Sequence, residues 1–215
     1  MIKKLLVKFY NKYNCFRRRK RLKYKDFSII SNNCWGGFIY QMFGLKYTTP
    51  TIGLFIMESD YIKFLENLKV YLEKDLIFIT PEQSKFYKQI TNNGKISIKY
   101  PVAKLDDIDI FFMHYTSQEE ALTKWNRRKV RINFDRLIIK MSERNDCNSE
   151  IISRFVKLPY KNKICFTANE YNYTECVRVE KILDLNKTGG DETPYTLDVI
   201  DIYNIINNLK KDINS

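Results

Sequence analysis

Phe27-Ser-Ile-Ile-Ser-Asn-Asn-Cys-Trp-Gly-Gly-Phe-Ile-Tyr40 is the stretch whose reading decides the fold. Phe27 to Ile30 is a short apolar run of the kind that makes a buried strand. The run breaks into Ser31-Asn32-Asn33-Cys34 and then Gly36-Gly37, and Phe38, Ile39, Met42, Phe43 and Leu45 read as a short helix or second buried turn. A strand that ends in small polar residues and glycines ahead of a helix is where α/β proteins place ligands. Glycine lets backbone approach a bound group, and the free N–H groups of a helix start hold anions. A capped tight turn with a packed Trp35 would leave the same pattern.

Upstream lies a different composition. Residues 1–25 hold 11 Lys and Arg and no acid, out of a formal net charge of +12. The remaining chain carries 26 basic against 25 acidic residues, so the body is neutral and the basicity belongs to a leader. Ile2, Leu5, Leu6, Phe9, Tyr13 and Phe16 recur at spacings of three and four, an amphipathic helix over 2–16 followed by Arg17-Arg-Arg-Lys-Arg21. Such a helix suits the headgroup layer of an anionic membrane, or packing on the fold or a second subunit. Nucleic acid is not expected, because the basic cluster lacks interleaved aromatics on a folded platform.

Downstream, apolar runs and helical patterns alternate. Strands are expected at 51–56, 75–79, 95–100, 108–113, 137–141 and 163–167, with an edge strand over 175–183. Helices are expected at 60–72, after the Thr80-Pro81-Glu82 start, after Ser117-Gln-Glu-Glu120 with Ala121, Leu122 and Trp125 inward, and from Thr196 to about Lys210. The pattern predicts a single α/β domain over 26–215: a mostly parallel sheet with helices on both faces in Rossmann-like layers. Five cysteines without a CxxC pair, and one histidine, point to free thiols in a reducing compartment and to no metal site. No apolar run reaches membrane-span length, and the N-terminus lacks the apolar core of a secretory signal, so a cytoplasmic protein at the inner face of the membrane is expected.

In a parallel sheet the strand C-termini share one edge. That placement would gather Ser31, Asn32, Asn33 and Cys34 with His114, with Ser142, Arg144, Asn145 and Asp146, and with Asn169 and Glu170. His114, the single imidazole, is the natural group to deprotonate a hydroxyl near neutral pH. Cys34 reads as a second nucleophile candidate beside a helix start, against the commoner case of a buried free thiol. Arg127 and Arg128 suit a phosphate, or a solvated helix end. Asp107-Ile-Asp109 imitates a metal-binding DxD but precedes its strand.

Two segments carry a family resemblance. One is Ser31-Asn-Asn-Cys-Trp-Gly-Gly37 with Gly44-Leu45 and Thr49-Pro-Thr-Ile-Gly-Leu-Phe-Ile56. The other is His114-Tyr115 with Glu120-Ala121, Lys124-Trp125, Arg127-Arg128 and Arg131-Ile-Asn133, and 142–146 and 163–167 agree with it. The chain from about Asp26 onward resembles the bacterial domain-of-unknown-function 1919 family, with the basic leader outside the resemblance. It implies a layered α/β fold and a place in exopolysaccharide or capsule assembly, where some members are called acetyltransferases; it transfers no catalytic residue. The combined expectation is a transferase acting on a lipid-linked or nucleotide-linked sugar, by acyl transfer to a sugar hydroxyl or by glycosyl transfer, with a non-catalytic glycan-assembly component and a Cys–His hydrolase as other classes. An acyl-CoA or a sugar nucleotide would be the donor. His114 would be the base, with Cys34 and Asp146 as catalytic partners. Ser31, Asn32, Asn33, Trp35, Gly36, Gly37, Arg127, Arg128, Arg144 and Asn169 would bind substrate, and residues 1–25 would meet the membrane.

Overall fold

The structure, a computed structural model, describes residues 2–212, with side chains from Asn11 onward. Helix α1 (Ile2–Lys20) leads into strand β1 (Ser28–Ser31) and helix α2 (Trp35–Phe43), and α3 (Glu58–Glu66) and α4 (Leu68–Glu73) follow. Strands β2 (Ile77–Ile79), β3 (Val102–Leu105) and β4 (Ile108–Phe111) form a small sheet, with the short α5 (Tyr87–Ile90) between the first two. The chain then runs through α6 (Gln118–Lys129), β5 (Leu137–Ser142), α7 (Ser149–Lys157), β6 (Lys163–Thr167), β7 (Cys176–Arg178), α8 (Lys181–Thr188), α9 (Thr193–Val199) and α10 (Ile202–Asn207).

The main sheet is parallel throughout, in the order β1-β5-β6-β7. Strands β1, β5 and β6 are buried on both faces, which is why they read as largely apolar runs, whereas β7 is a half-exposed edge. Leu137, Ile139 and Met141 face one core with Tyr61, Phe64, Ile152 and Phe155, from α3 and α7. Ile138, with Ile29 and Phe166, faces a second core closed by Trp35 and Ile39 of α2, Ile182 of α8 and Ile206 of α10. The result is a three-layer α/β fold with helices on both faces. Because the strand order never reverses, the sheet lacks the internal switch-point crevice of a doubly wound fold.

Several sequence expectations are corrected. Helix α2 begins at Trp35, so Gly36 and Gly37 lie in its first turn and only Gly44, at φ 60°, takes the left-handed conformation that ends it. The largely buried stretch 51–56 bends at Ile52 and Gly53 and forms a β-bridge of Phe55 with Phe111 rather than a strand. Residues 95–100 form no strand, whereas the hairpin β3–β4 turns through Asp106, at φ 60°. The helix expected over 60–72 breaks at Asn67 into α3 and α4, and the last helix divides between α9 and α10. Leu122 is exposed, and α7 occupies residues assigned no element. Only three residues of 175–183 are strand, because α8 starts at Lys181.

The correction with the largest consequence concerns β4. It belongs to the three-stranded antiparallel sheet β2-β3-β4, so His114 does not stand at an edge of the parallel sheet.

Helix α1 extends through the basic cluster to Lys20. The side chains of Ile2, Leu5, Leu6 and Phe9 lie outside the described ones. Cys15 Sγ donates to the Gln41 carbonyl at 3.4 Å, and Arg19 donates to the Gly44 carbonyl at 3.0 Å. The Arg21 guanidinium lies 3.8 Å from the Tyr203 ring centre, and the Lys23 N–H donates to Asn207 Oδ1 at 2.7 Å. The end of the leader is therefore fastened to α2 and α10.

Candidate functional site

Helix α6 starts where the Ser117 hydroxyl accepts the Glu120 N–H at 3.1 Å, while the Glu120 carboxylate turns back to the Thr116 N–H. Its period then puts Lys124 and Arg128, one turn apart, on a single face. That face looks across at the start of α2 over a pocket of about 370 Å³, lined by Cys34, Gly37, Phe38, Gln41, Tyr47, Ile52, Gly53, His114, Tyr115, Lys124 and Arg128. Gly53, at φ 73°, lets two loops approach: it accepts the His114 N–H at 3.0 Å, and a Cβ there would lie 3.3 Å from the His114 Cβ. The imidazole itself is exposed, with no hydrogen-bonding partner among the described residues.

Arg128 dominates the electrostatics. Its side chain is buried, donates to the Tyr115 hydroxyl at 2.6 Å, and lies 5.0 Å from the Tyr47 ring centre. The Tyr115 hydroxyl in turn donates to the Ile52 carbonyl at 2.5 Å. Among the described residues no carboxylate pairs with Arg128, although buried arginine ordinarily needs one. Lys124 is neutralised by Glu120 on its own helix and lies 5.4 Å from the Tyr115 ring centre. A buried guanidinium facing an open, aromatic-walled pocket is the arrangement that accepts an external anion such as phosphate.

The pocket brings together Cys34, Gly37, His114 and Arg128 of the residues singled out from sequence. Arg127 is exposed and does not line the pocket. Burial first, and the nearby Asp191 and Glu192 next, push the Cys34 thiol up to about 11 against the opposing charge of Lys140. That direction is opposite to the one a nucleophilic thiolate needs.

The others are held in a polar network at the parallel sheet edge. Asn32 donates to Glu58 at 2.8 Å, and Asn33 to Glu192 at 2.9 Å. Glu192 pairs with the buried Lys140 and accepts Ser142 Oγ at 2.6 Å. The Ser31 hydroxyl bonds the Asn33 carbonyl, Trp35 donates its indole N–H to Thr196 at 2.9 Å, and Gly36 packs on Ser31. Asp146 accepts from Ser59, and Asn169 donates to Glu143 at 2.8 Å. Arg144 donates to the carbonyls of Leu185 and Gly190, both at 2.9 Å. These residues hold the loops after β1, β5 and β6 to one another and to the segment before α9.

Sequence reasoning missed Lys124, Tyr115 and Tyr47 in the pocket, and Lys140, Glu192 and Glu58 in the network. The four-residue spacing of Lys124 and Arg128 on a capped helix was the available signal for the pocket. Lys140 had one too, as a lone charge inside an apolar strand.

Fold and pocket define a three-layer α/β protein with a pocket, lined by the buried Arg128, beside rather than within its parallel sheet. The chain belongs to the family described as "Domain of unknown function (DUF1919)", whose model matches residues 5–201. The match takes in most of the basic leader, which the sequence resemblance had left outside. Over 153 residues the chain is 34% identical to a protein of Haemophilus influenzae (strain ATCC 51907 / DSM 11121 / KW20 / Rd) called "Uncharacterized protein", covering 71% of this chain and 67% of that one.

Proposed function

We propose that this protein is a transferase of surface-polysaccharide assembly that binds a phosphate-bearing sugar, lipid-linked or nucleotide-linked, in the pocket between α2 and α6. The observation that carries the reading is Arg128, a buried cation with no carboxylate partner among the described residues, opening onto that pocket beside His114. Arg128 holds the phosphate, with Lys124 at its flank. His114, exposed and without a hydrogen-bonding partner among the described residues, takes the proton from an acceptor hydroxyl as its oxygen attacks. In acyl transfer the oxygen attacks the carbonyl of an acyl-CoA thioester, and the CoA thiolate leaves. Glycosyl transfer is the second reading, favoured by the same arginine, because phosphate would then be the leaving group that its charge stabilises.

Titration calorimetry with pyrophosphate and with a nucleoside diphosphate tests the site. A charge-assisted hydrogen bond is worth about 1.5–3 kcal/mol, so Arg128→Gln should weaken binding by roughly ten- to a hundredfold. Unchanged affinity in that variant rejects the reading. His114→Ala should leave binding intact and abolish product formation. Persistence of polymer output in that variant makes the protein a non-catalytic component instead. A polymer missing an acyl group, or missing a sugar, then separates the two reactions.

A further inference from the structure

We propose that α1 is a docking helix whose partner is a bilayer surface carrying anionic lipid headgroups. Three observations converge on it. The first is exposure: Tyr13 and Phe16, one turn apart, are 52% and 45% exposed, although Cys15 and Arg19 of the same helix are engaged with α2 and its end. In the sequence, Ile2, Leu5, Leu6 and Phe9 recur at the spacings of three and four that also separate Phe9, Tyr13 and Phe16. Packing on this domain therefore does not account for the stripe at its described end.

The second is charge. Residues 1–25 contain 11 cations and no acid, whereas the rest of the chain is close to neutral. Lys20 Nζ lies 4.7 Å from the Phe16 ring centre and Arg17 5.9 Å from that of Tyr13. Each aromatic thus has a cation over its ring, so that apolar ring and headgroup-seeking charge are presented together on one surface. A protein partner would be expected to cover an apolar stripe without requiring this one-sided charge.

The third is a groove of about 400 Å³ lined by Lys12, Tyr13, Phe16, Arg19 and Gly44. It has an aromatic wall and two cations, which suit a headgroup phosphate. Gly44 ends α2 and Gly37 lies in its first turn, so a lining residue of this groove and one of the Arg128 pocket stand about 10 Å apart along the same helix. Docking would present that pocket to lipid-linked rather than freely diffusing substrates, a consequence that rests on the function proposed above.

Flotation of the full chain with vesicles tests the docking. The protein should float with phosphatidylcholine vesicles containing phosphatidylglycerol, not with phosphatidylcholine alone, and salt should release it. Tyr13→Ser/Phe16→Ser, and separately Arg17→Gln/Arg18→Gln/Lys20→Gln, should each lower partitioning at least tenfold with an unchanged melting temperature. Arg128→Gln should float like the parent, so loss of the pocket reading and loss of this one are distinguishable. Equal binding to neutral vesicles, or indifference to both sets of substitutions, overturns the proposal. So does a dimer that the Tyr13/Phe16 variant dissociates, or nucleic-acid binding without vesicle binding.

Discussion

Lys140, at the centre of β5, and Glu192, immediately before α9, form an ion pair whose side chains are 0% and 2% exposed although 52 residues separate them. The ammonium also reaches Asn33 Oδ1 at 2.9 Å, so the pair ties the loop after β1 to the segment before α9. Removing one partner strands a buried charge, and Lys140→Met should cost about 3–5 kcal/mol in urea unfolding. Lys140→Met/Glu192→Met should cost far less than the sum of the single changes. Additive costs would show that the two residues act independently.

Two buried carboxyls should give opposite pH dependences. Burial alone would raise Glu192, but the Lys140 charge and the hydrogen bonds from Lys140, Ser142 and Asn33 outweigh it and hold the carboxyl below its usual range. Its stabilisation is present above the ordinary carboxylate pKa and is lost as pH falls through the lowered one. Glu58 is the reverse case. Burial, reinforced by Asp146, raises it well above 4.5 despite the hydrogen bond from Asn145. The folded state then binds the extra proton, so stability falls as pH rises from 4.5 through the folded pKa. Glu58→Gln should remove that falling limb from a plot of urea midpoint against pH; a limb that persists assigns it to another group.

Gly36 and Gly37 are neighbours with different duties. A Cβ on Gly36 would stand 2.9 Å from Ser31 Oγ and 3.1 Å from Ile29 Cγ2, whereas one on Gly37 meets Ile52 Cγ2 at 3.5 Å. Gly36→Ala should destabilise by about 1–3 kcal/mol through overpacking. Gly37→Ala should be neutral or stabilising by up to about 1 kcal/mol, from helix propensity. Because Gly37 lines the pocket, its variant should still weaken anion binding, which calorimetry would reveal beside an unaltered or raised melting temperature.

The Cys34 thiol, pushed up to about 11, should react sluggishly with iodoacetamide at neutral pH and accelerate as pH rises toward that value. Mass spectrometry of peptide adducts over a pH series gives the rate. Fast labelling at neutral pH that blocks product formation would restore the Cys–His hydrolase reading.

The chain's local chemistry was legible wherever a short segment decides its own state. The apolar runs at 27–30, 137–141 and 163–167 became β1, β5 and β6 to within a residue, and α6 starts after Ser117, because strand burial and helix capping are properties of a few adjacent residues. The gathering of the site was not legible in the same way. Reading β4 as a parallel strand put His114 at the wrong edge, since an apolar run looks alike in either kind of sheet. Cys34 and Arg128 nonetheless meet it from α2 and α6. Asn32 and Asn33 were recognisable as unusual, but their partners lie at Glu58 and Glu192, one of them 159 residues away.

What the sequence by itself determined is the layered α/β class, the segregation of charge into the leader, and family membership. Only the tertiary structure decided that Arg128 is buried without a carboxylate partner among the described residues, that Lys140 has one, and that the polar loop after β1 faces inward. The physical reason is that helix and strand formation answer to neighbours along the chain, whereas desolvation and charge compensation depend on which distant segments close over a group and exclude its water.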